Sequence, residues 1–174
     1  MERVVFATEA ILKNRASRVR EKGMEGTLVS RREWEHFQRE AEALPGPGEL
    51  WLLDRHGDLV MDSTEYPSHL VNFTEIEYFA AHRDLGMDLH IGPIVKCKVV
   101  KKYAFTISKR MNGRDGGFLG VVLASVETDA FAEFLRRISL GEGGTVAVFR
   151  SDGALILRQP MEDEYIGKTF GHLA

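Results

Sequence analysis

Four side chains able to bind a metal, His82, Asp84, Asp88 and His90, gather in one short stretch. Their spacing matches neither a zinc nor a calcium pattern, and the stretch reads as a helix end running into a solvated loop. Gly141-Glu142-Gly143-Gly144 has the glycine density of a phosphate cradle. A strand follows it, however, and the Lys-Ser/Thr signature is missing, so it reads as a helix stop and turn. There is no Gly-x-Ser-x-Gly elbow, and Cys97, the single cysteine, has no partner recognisable from sequence. Lys96, Lys98, Lys101 and Lys102 cluster in sequence, but strand alternation sends them to different faces of a solvated edge. Nothing here supports catalysis, and no cofactor or metal is expected.

Tyr78-Phe79-Ala80-Ala81-His82-Arg83 is more informative. At helical spacing Ile76, Phe79 and Ala80 face one way, and Tyr78, His82 and Arg83 lie towards another. Periodicity alone favours the plainer reading: Tyr78 and Phe79 are core, and His82 and Arg83 end a helix where cations are favoured. Further along, Ser108, Arg110, Ser125 and Glu127 sit near the ends of two otherwise apolar segments. Polar groups inset on a mostly apolar sheet make a plausible pocket floor.

Those segments organise the chain. Val99–Arg110 alternates, with Tyr103, Phe105 and Ile107 on one face and Ala104, Thr106, Ser108 and Arg110 on the other. Phe118–Val126 is apolar throughout and should be central, covered on both faces. The turn Asn112-Gly113-Arg114-Asp115-Gly116-Gly117 joins them as an antiparallel hairpin. Before them, residues 2–22 predict a helix with a thin apolar stripe, broken by Gly23 and Gly26. Ser30-Arg31-Arg32-Glu33 is a capping box opening a helix that sets Trp34, Phe37, Ala41 and Leu44 on a core face. Trp51–Met61 predicts strand, tight turn, strand. Thr74-Glu75-Ile76-Glu77 is a second capping box for a short helix through about Arg83. Thr128 or Asp129 caps a helix carrying Phe131, Phe134, Leu135 and Ile138, and Gly141 stops it.

The bulk numbers set limits. The chain has 174 residues, 44% hydrophobic and 28% charged, enough for one well-buried globular domain or one plus part of a second. A formal net charge of −3 gives no reason to expect a nucleic-acid partner. No apolar run approaches the length of a membrane span, so the segment itself reads as soluble. Val148–Leu157 repeats the pattern of Leu52–Met61, with Gly153 matching Gly57. A second module would then begin near Gly144 and stop after two strands.

Several phrases together resemble the Cache (PDC-type) extracytoplasmic sensor domains of bacterial histidine kinases, diguanylate cyclases and chemoreceptors. They are Trp51-Leu-Leu-Asp-Arg-His-Gly-Asp-Leu-Val, Glu77-Tyr-Phe-Ala-Ala-His-Arg, Ile91-Gly-Pro-Ile, Ile107-Ser-Lys-Arg-Met and Gly117-Phe-Leu-Gly-Val-Val-Leu-Ala-Ser-Val. Arg150-Ser-Asp-Gly-Ala-Leu-Ile-Leu-Arg-Gln-Pro and Ile166-Gly-Lys add the entry to a second module of a double-Cache array. The resemblance implies an α+β, PAS-like fold, with a long N-terminal helix packed on a curved antiparallel sheet and a ligand pocket on the other face. It implies a sensor module over residues 1–143 and an incomplete second one over 144–174. It places the domain on the periplasmic or extracellular side, tied to a membrane only through flanking segments. The implied ligand residues are Tyr78, His82, Arg83, Tyr103, Ser108, Arg110 and Glu127. Amino-acid binders of the family have an aspartate at the position of Glu127 and an arginine–tryptophan–tyrosine set not found here.

Two function classes follow: a non-catalytic input domain for a small polar metabolite, or a structural, dimerising module whose pocket is filled by Tyr103 and Phe105. In the first, Arg110 and Arg83 suit a small carboxylate, since arginine presents a planar donor fork. In both, the thin stripe of the N-terminal helix fits pairing with a second copy.

Overall fold

The computed structural model describes residues 2–28, 30–96, 102–129, 131 and 144–171. Two helices come first, α1 (Glu2–Leu28) and α2 (Arg31–Glu42), then strands β1 (Gly48–Asp54) and β2 (Leu59–Asp62). A short helix α3 (Glu77–Arg83) precedes β3 (Leu89–Ile91), β4 (Val95–Lys96), β5 (Tyr103–Asn112) and β6 (Phe118–Glu127). A final hairpin pairs β7 (Val146–Phe149) with β8 (Leu155–Gln159). The main sheet runs β2-β1-β6-β5-β3, with β4 also on β5, and every pairing is antiparallel. The α+β class follows directly, and β6 is central as its unbroken apolar run requires.

Alternation along the strands divides the core. Leu50 and Leu52 of β1, Phe105, Ile107 and Met111 of β5, and Val122, Ala124 and Val126 of β6 meet Leu12 and Val19 of α1 and Phe37 of α2. The opposite face gathers Leu53, Leu59, Val121 and Leu123 beneath Tyr78 and Phe79 of α3. Register shifts between Leu52 and Leu53 and between Met111 and Asn112 mark bulges, which bend a sheet.

The helix ends refine the expectations. Gly23 does break α1, taking φ 75° and ψ 164°, but helical turns resume and reach Leu28. Ser30 caps α2 by accepting the Glu33 N–H at 3.3 Å. The Glu33 carboxylate does not return to Ser30. It binds Arg18 (2.9 and 3.0 Å) and Lys22 (2.5 Å) of α1, and the Arg18 hydrogen bond leads the effects that lower its pKa to about 2. The second capping box does not form: Thr74 bonds Asn72, and Ile76, with no capping side chain, precedes α3. Between α1 and α2, the fully buried Arg15 donates to Glu40 at 2.7 Å and lies 4.8 Å from the Phe37 ring centre.

The hairpin β7–β8 is a sheet of its own, yet it touches the main body. Ile94 N–H donates to the Leu155 carbonyl at 2.9 Å, and Ile156 and Leu157 join the helix-side core. Of the inner face expected on the helix after Thr128, Phe131 is described, 6.0 Å from the Phe105 ring. Its remainder, the Gly141–Gly143 turn, Cys97, Lys98 and Lys101 lie outside the described residues.

Because Phe37 is fully buried where α2 meets the sheet, Phe37→Ala should cost about 3–5 kcal/mol in urea unfolding. A loss under about 1 kcal/mol would mean that this face is not core.

Candidate functional site

Cross-strand register arranges the face away from α1 and α2 into rows. Glu49, Ser125 and Thr106 lie side by side on β1, β6 and β5. Two residues along, Trp51, Leu123, Ser108 and His90 make the next row. Leu53, Val121 and Arg110 make the third. Successive rows are about 7 Å apart, because a strand advances about 3.4 Å per residue.

α3 covers the second and third rows and is fastened by directional bonds. His82, fully buried, has Nδ1 2.6 Å from the Met87 carbonyl and Nε2 2.8 Å from Ser108 Oγ. A carbonyl can only accept, so Nδ1 carries the proton and Nε2 accepts from the Ser108 hydroxyl. Burial lowers the His82 pKa, with His90 and Arg110 nearby adding to the effect, so the ring is neutral. Arg110 donates to the His82 carbonyl and, at 2.8 Å, to Asn112, with its guanidinium 4.5 Å from the Phe118 ring centre.

Beside α3, over the first row, a cavity of about 380 Å³ opens. Glu49, Trp51, Ala104, Thr106, Ser125 and Glu127 line its floor; Phe73, Ile76, Glu77, Tyr78, Pro93 and Val95 its walls. Trp51 and Phe73 pack with ring centres 5.5 Å apart. Lys102 at the rim donates to Glu127 at 2.6 Å. Gly92 permits the wall to approach: a Cβ there would stand 2.3 Å from Thr106 Oγ1. Burial raises the Tyr78 phenol pKa, keeping it neutral. Burial also raises the Glu49 pKa, helped by the Asp62 and Glu127 carboxylates and opposed by the Trp51 indole. That indole N–H is buried without a hydrogen-bond partner of good geometry.

Of the seven expected ligand residues, the structure places Tyr78 and Glu127 on this cavity. His82 and Ser108 bond to each other beneath α3. Arg110 is engaged with α3 and Asn112, and Arg83 is exposed and pairs with Asp84 at 2.6 Å, so the two arginines do not converge. Tyr103 donates to Asp163 at the sheet edge, and Phe105 belongs to the helix-side core, so neither fills the cavity. The sequence reading missed Glu49, Trp51, Phe73 and Thr106, and placed Ser125 only among the polar groups of a plausible pocket floor. Alternation had put Thr106 on the polar face of β5, and the same parity joins Glu49 to Trp51.

A more open groove of about 690 Å³ lies between α3, β3 and the turn before β8. Arg150 crosses it, donating to Glu77 (2.8 Å), Asp152 (2.7 and 2.9 Å), the Ile91 carbonyl (2.7 Å) and His90 Nε2 (2.9 Å). His90 Nε2 also lies 3.2 Å from Glu77 Oε1, and burial, together with Arg150, lowers the His90 pKa against the pull of Glu77 and Asp152. Glu77 lines both cavities and, through Arg150, ties the wall of the first to the β7–β8 hairpin. With Asp84 on Arg83 and Asp88 on Lys109, the four metal-capable residues are separately engaged.

Both histidines have folded pKa values below the ordinary value of about 6.5. The unfolded chain therefore binds protons first, and stability, full above about pH 6.5, falls as pH drops below it. Melting temperatures should decline between about pH 7 and pH 5, above the range of ordinary carboxylates. His82→Gln should flatten that decline. A level wild-type profile, or an unchanged slope in the variant, would contradict the assignment.

No protein-family model and no curated protein matches the sequence. Solved structures do. The extracellular domain of the histidine kinase rpHK1S-Z16 is 26% identical with a TM-score of 0.73, over 87% of this chain and 61% of that one. The sensory domain of the Campylobacter jejuni chemoreceptor Tlp3 with isoleucine bound gives 16% identity and a TM-score of 0.55, over 95% of this chain and 64% of that one. The V. cholerae histidine kinase DctB sensor domain gives 13% identity and a TM-score of 0.60, over 99% and 67%. This chain thus spans about two thirds of the length of these domains. With its long N-terminal helix, antiparallel sheet and cavity on the far face, the chain has the Cache (PDC-type) sensor-domain fold.

Proposed function

We propose that the chain is the ligand-binding input domain of a membrane-bound signalling protein, held outside the cytoplasm and without catalysis of its own. The observation that carries this is the partly open, aromatic-lined cavity on the sheet face opposite α1 and α2. Buried apolar walls with a few convergent polar groups are what small-molecule sites consist of. Among the described residues no helix is long and apolar enough to cross a membrane, and in this reading flanking segments supply the anchor. Tyr78 and Glu127 from the expected set touch the ligand, joined by Trp51, Thr106 and Ser125. His82 and Ser108 act indirectly, by holding α3. Residues 1–143 form the sensor module, and 144–174 open a second one. The separate β7–β8 sheet and the greater length of the similar domains support that division.

A thermal-shift panel of small amines, amides, alcohols and carboxylates tests the cavity. A ligand that binds only the folded state at a hundred times its Kd stabilises by about 2.7 kcal/mol, a shift of several degrees. At least one compound should raise the melting temperature of wild type and leave Trp51→Ala at its own baseline. If every hit shifts both proteins equally, the cavity is not the site.

We also infer that α1 pairs with a second copy, since Phe6 on it is 76% exposed beside the half-buried Val4 and Val5. Light scattering should show a concentration-dependent dimer that Phe6→Ser weakens. Monomer alone up to about millimolar concentration would oppose this pairing.

A further inference from the structure

The carboxylates around the cavity are unequally matched. Glu127 has Lys102 at 2.6 Å, and Glu77 has Arg150 at 2.8 Å. Glu49, half-buried on the floor, has no cationic partner among the described residues. It faces the negative charges of Asp62 and Glu127 instead, with only the Trp51 indole N–H to ease its ionisation. The two arginines nearest by sequence expectation are spoken for, Arg83 by Asp84 and Arg110 by the His82 carbonyl and Asn112. A carboxylate entering this space would add a further negative charge against an apolar wall, where charges are weakly screened. A cation would meet the reverse situation. It would neutralise Glu49, lie against the faces of Trp51 and Phe73, and give its remaining hydrogens to the Thr106 and Ser125 hydroxyls in the same row.

We infer that the cavity selects an organic amine: an apolar, aromatic or branched body carrying a positive charge, with Glu49 as its counter-charge and no carboxylate of its own. This rests on the ligand-binding reading above and goes further by fixing the ligand's charge. It also sets the chain apart from the Tlp3 domain, whose bound isoleucine carries both an amine and a carboxylate.

Phenethylamine, phenethyl alcohol and hydrocinnamate share one aromatic body and differ in charge, and calorimetric titration of all three against the whole chain is the test. Wild type should bind the amine about ten- to a hundredfold more tightly than the alcohol, as expected for a hydrogen bond to a charged group, and should reject the acid. Glu49→Gln, nearly isosteric, should bring amine and alcohol to within about threefold, while Glu49→Asp keeps part of the preference. Circular dichroism checks that both variants fold. The inference is overturned if hydrocinnamate binds best, if Glu49→Gln retains the amine's full advantage, or if none of the three binds. In each case the wider panel distinguishes the two readings. A different probe that shifts wild type but not Trp51→Ala keeps the cavity and loses only the ligand class, whereas no such probe means the cavity reading has failed too.

Discussion

β6 is hydrogen-bonded on both edges, to β1 and β5, and its Val121–Ala124 segment is fully buried. Side chains that alternate across a strand and are apolar on both sides need two covers. α1 and α2 supply the first, through Leu12, Val19 and Phe37. α3, only seven residues long, supplies the second and cannot span the sheet. Most of the molecule follows from that mismatch. Where α3 sits, the far face is core; where it stops, the face is open and a cavity remains.

A helix so short has little stability of its own, since helix nucleation costs more than a few intrahelical bonds return. It is held by its neighbours. Tyr78 and Phe79 bury apolar surface against Leu53 and Val121, while His82 and Arg110 fix its position with bonds of defined direction. A neutral His82 is needed, because its two nitrogens serve one acceptor and one donor. A second anchor lies at the other end, where Glu77 meets Arg150 from the hairpin. The wall of the cavity is therefore tied to the sheet on one side and to β7–β8 on the other.

The residues that hold α3 and the residues that face the cavity differ by one row of the sheet. Reading β5 as alternating identified the face on which the cavity lies, because a period of two is a local property of the chain. Ser108 and Thr106 are equivalent by that criterion. Only the position of α3 along the sheet distinguishes them, putting Ser108 under the helix and Thr106 in the open. Arg110 and Arg83 show the same limit. Each was a sound carboxylate ligand by chemistry, yet each found a nearer partner in the folded chain.

What the sequence determined by itself was local or periodic: the longer strands but not the short β3 and β4, the hairpin turn, the central place of β6, the amphipathic face of α2 and the broken α1. Ordered phrases such as Glu77-Tyr-Phe-Ala-Ala-His-Arg also carried the family resemblance, because they report the environments that recur wherever this fold is built. Tertiary structure alone decided which charges pair and which stay unmatched. Glu33 left its capping box for Arg18 and Lys22, and Glu77 reached Arg150 across more than seventy residues of chain. Glu49 was left facing a cavity without a cation. Charges act over several ångströms in any direction and are indifferent to separation along the chain. Their partners are therefore set by how strands register and where helices dock, which a single sequence read by its periods does not contain.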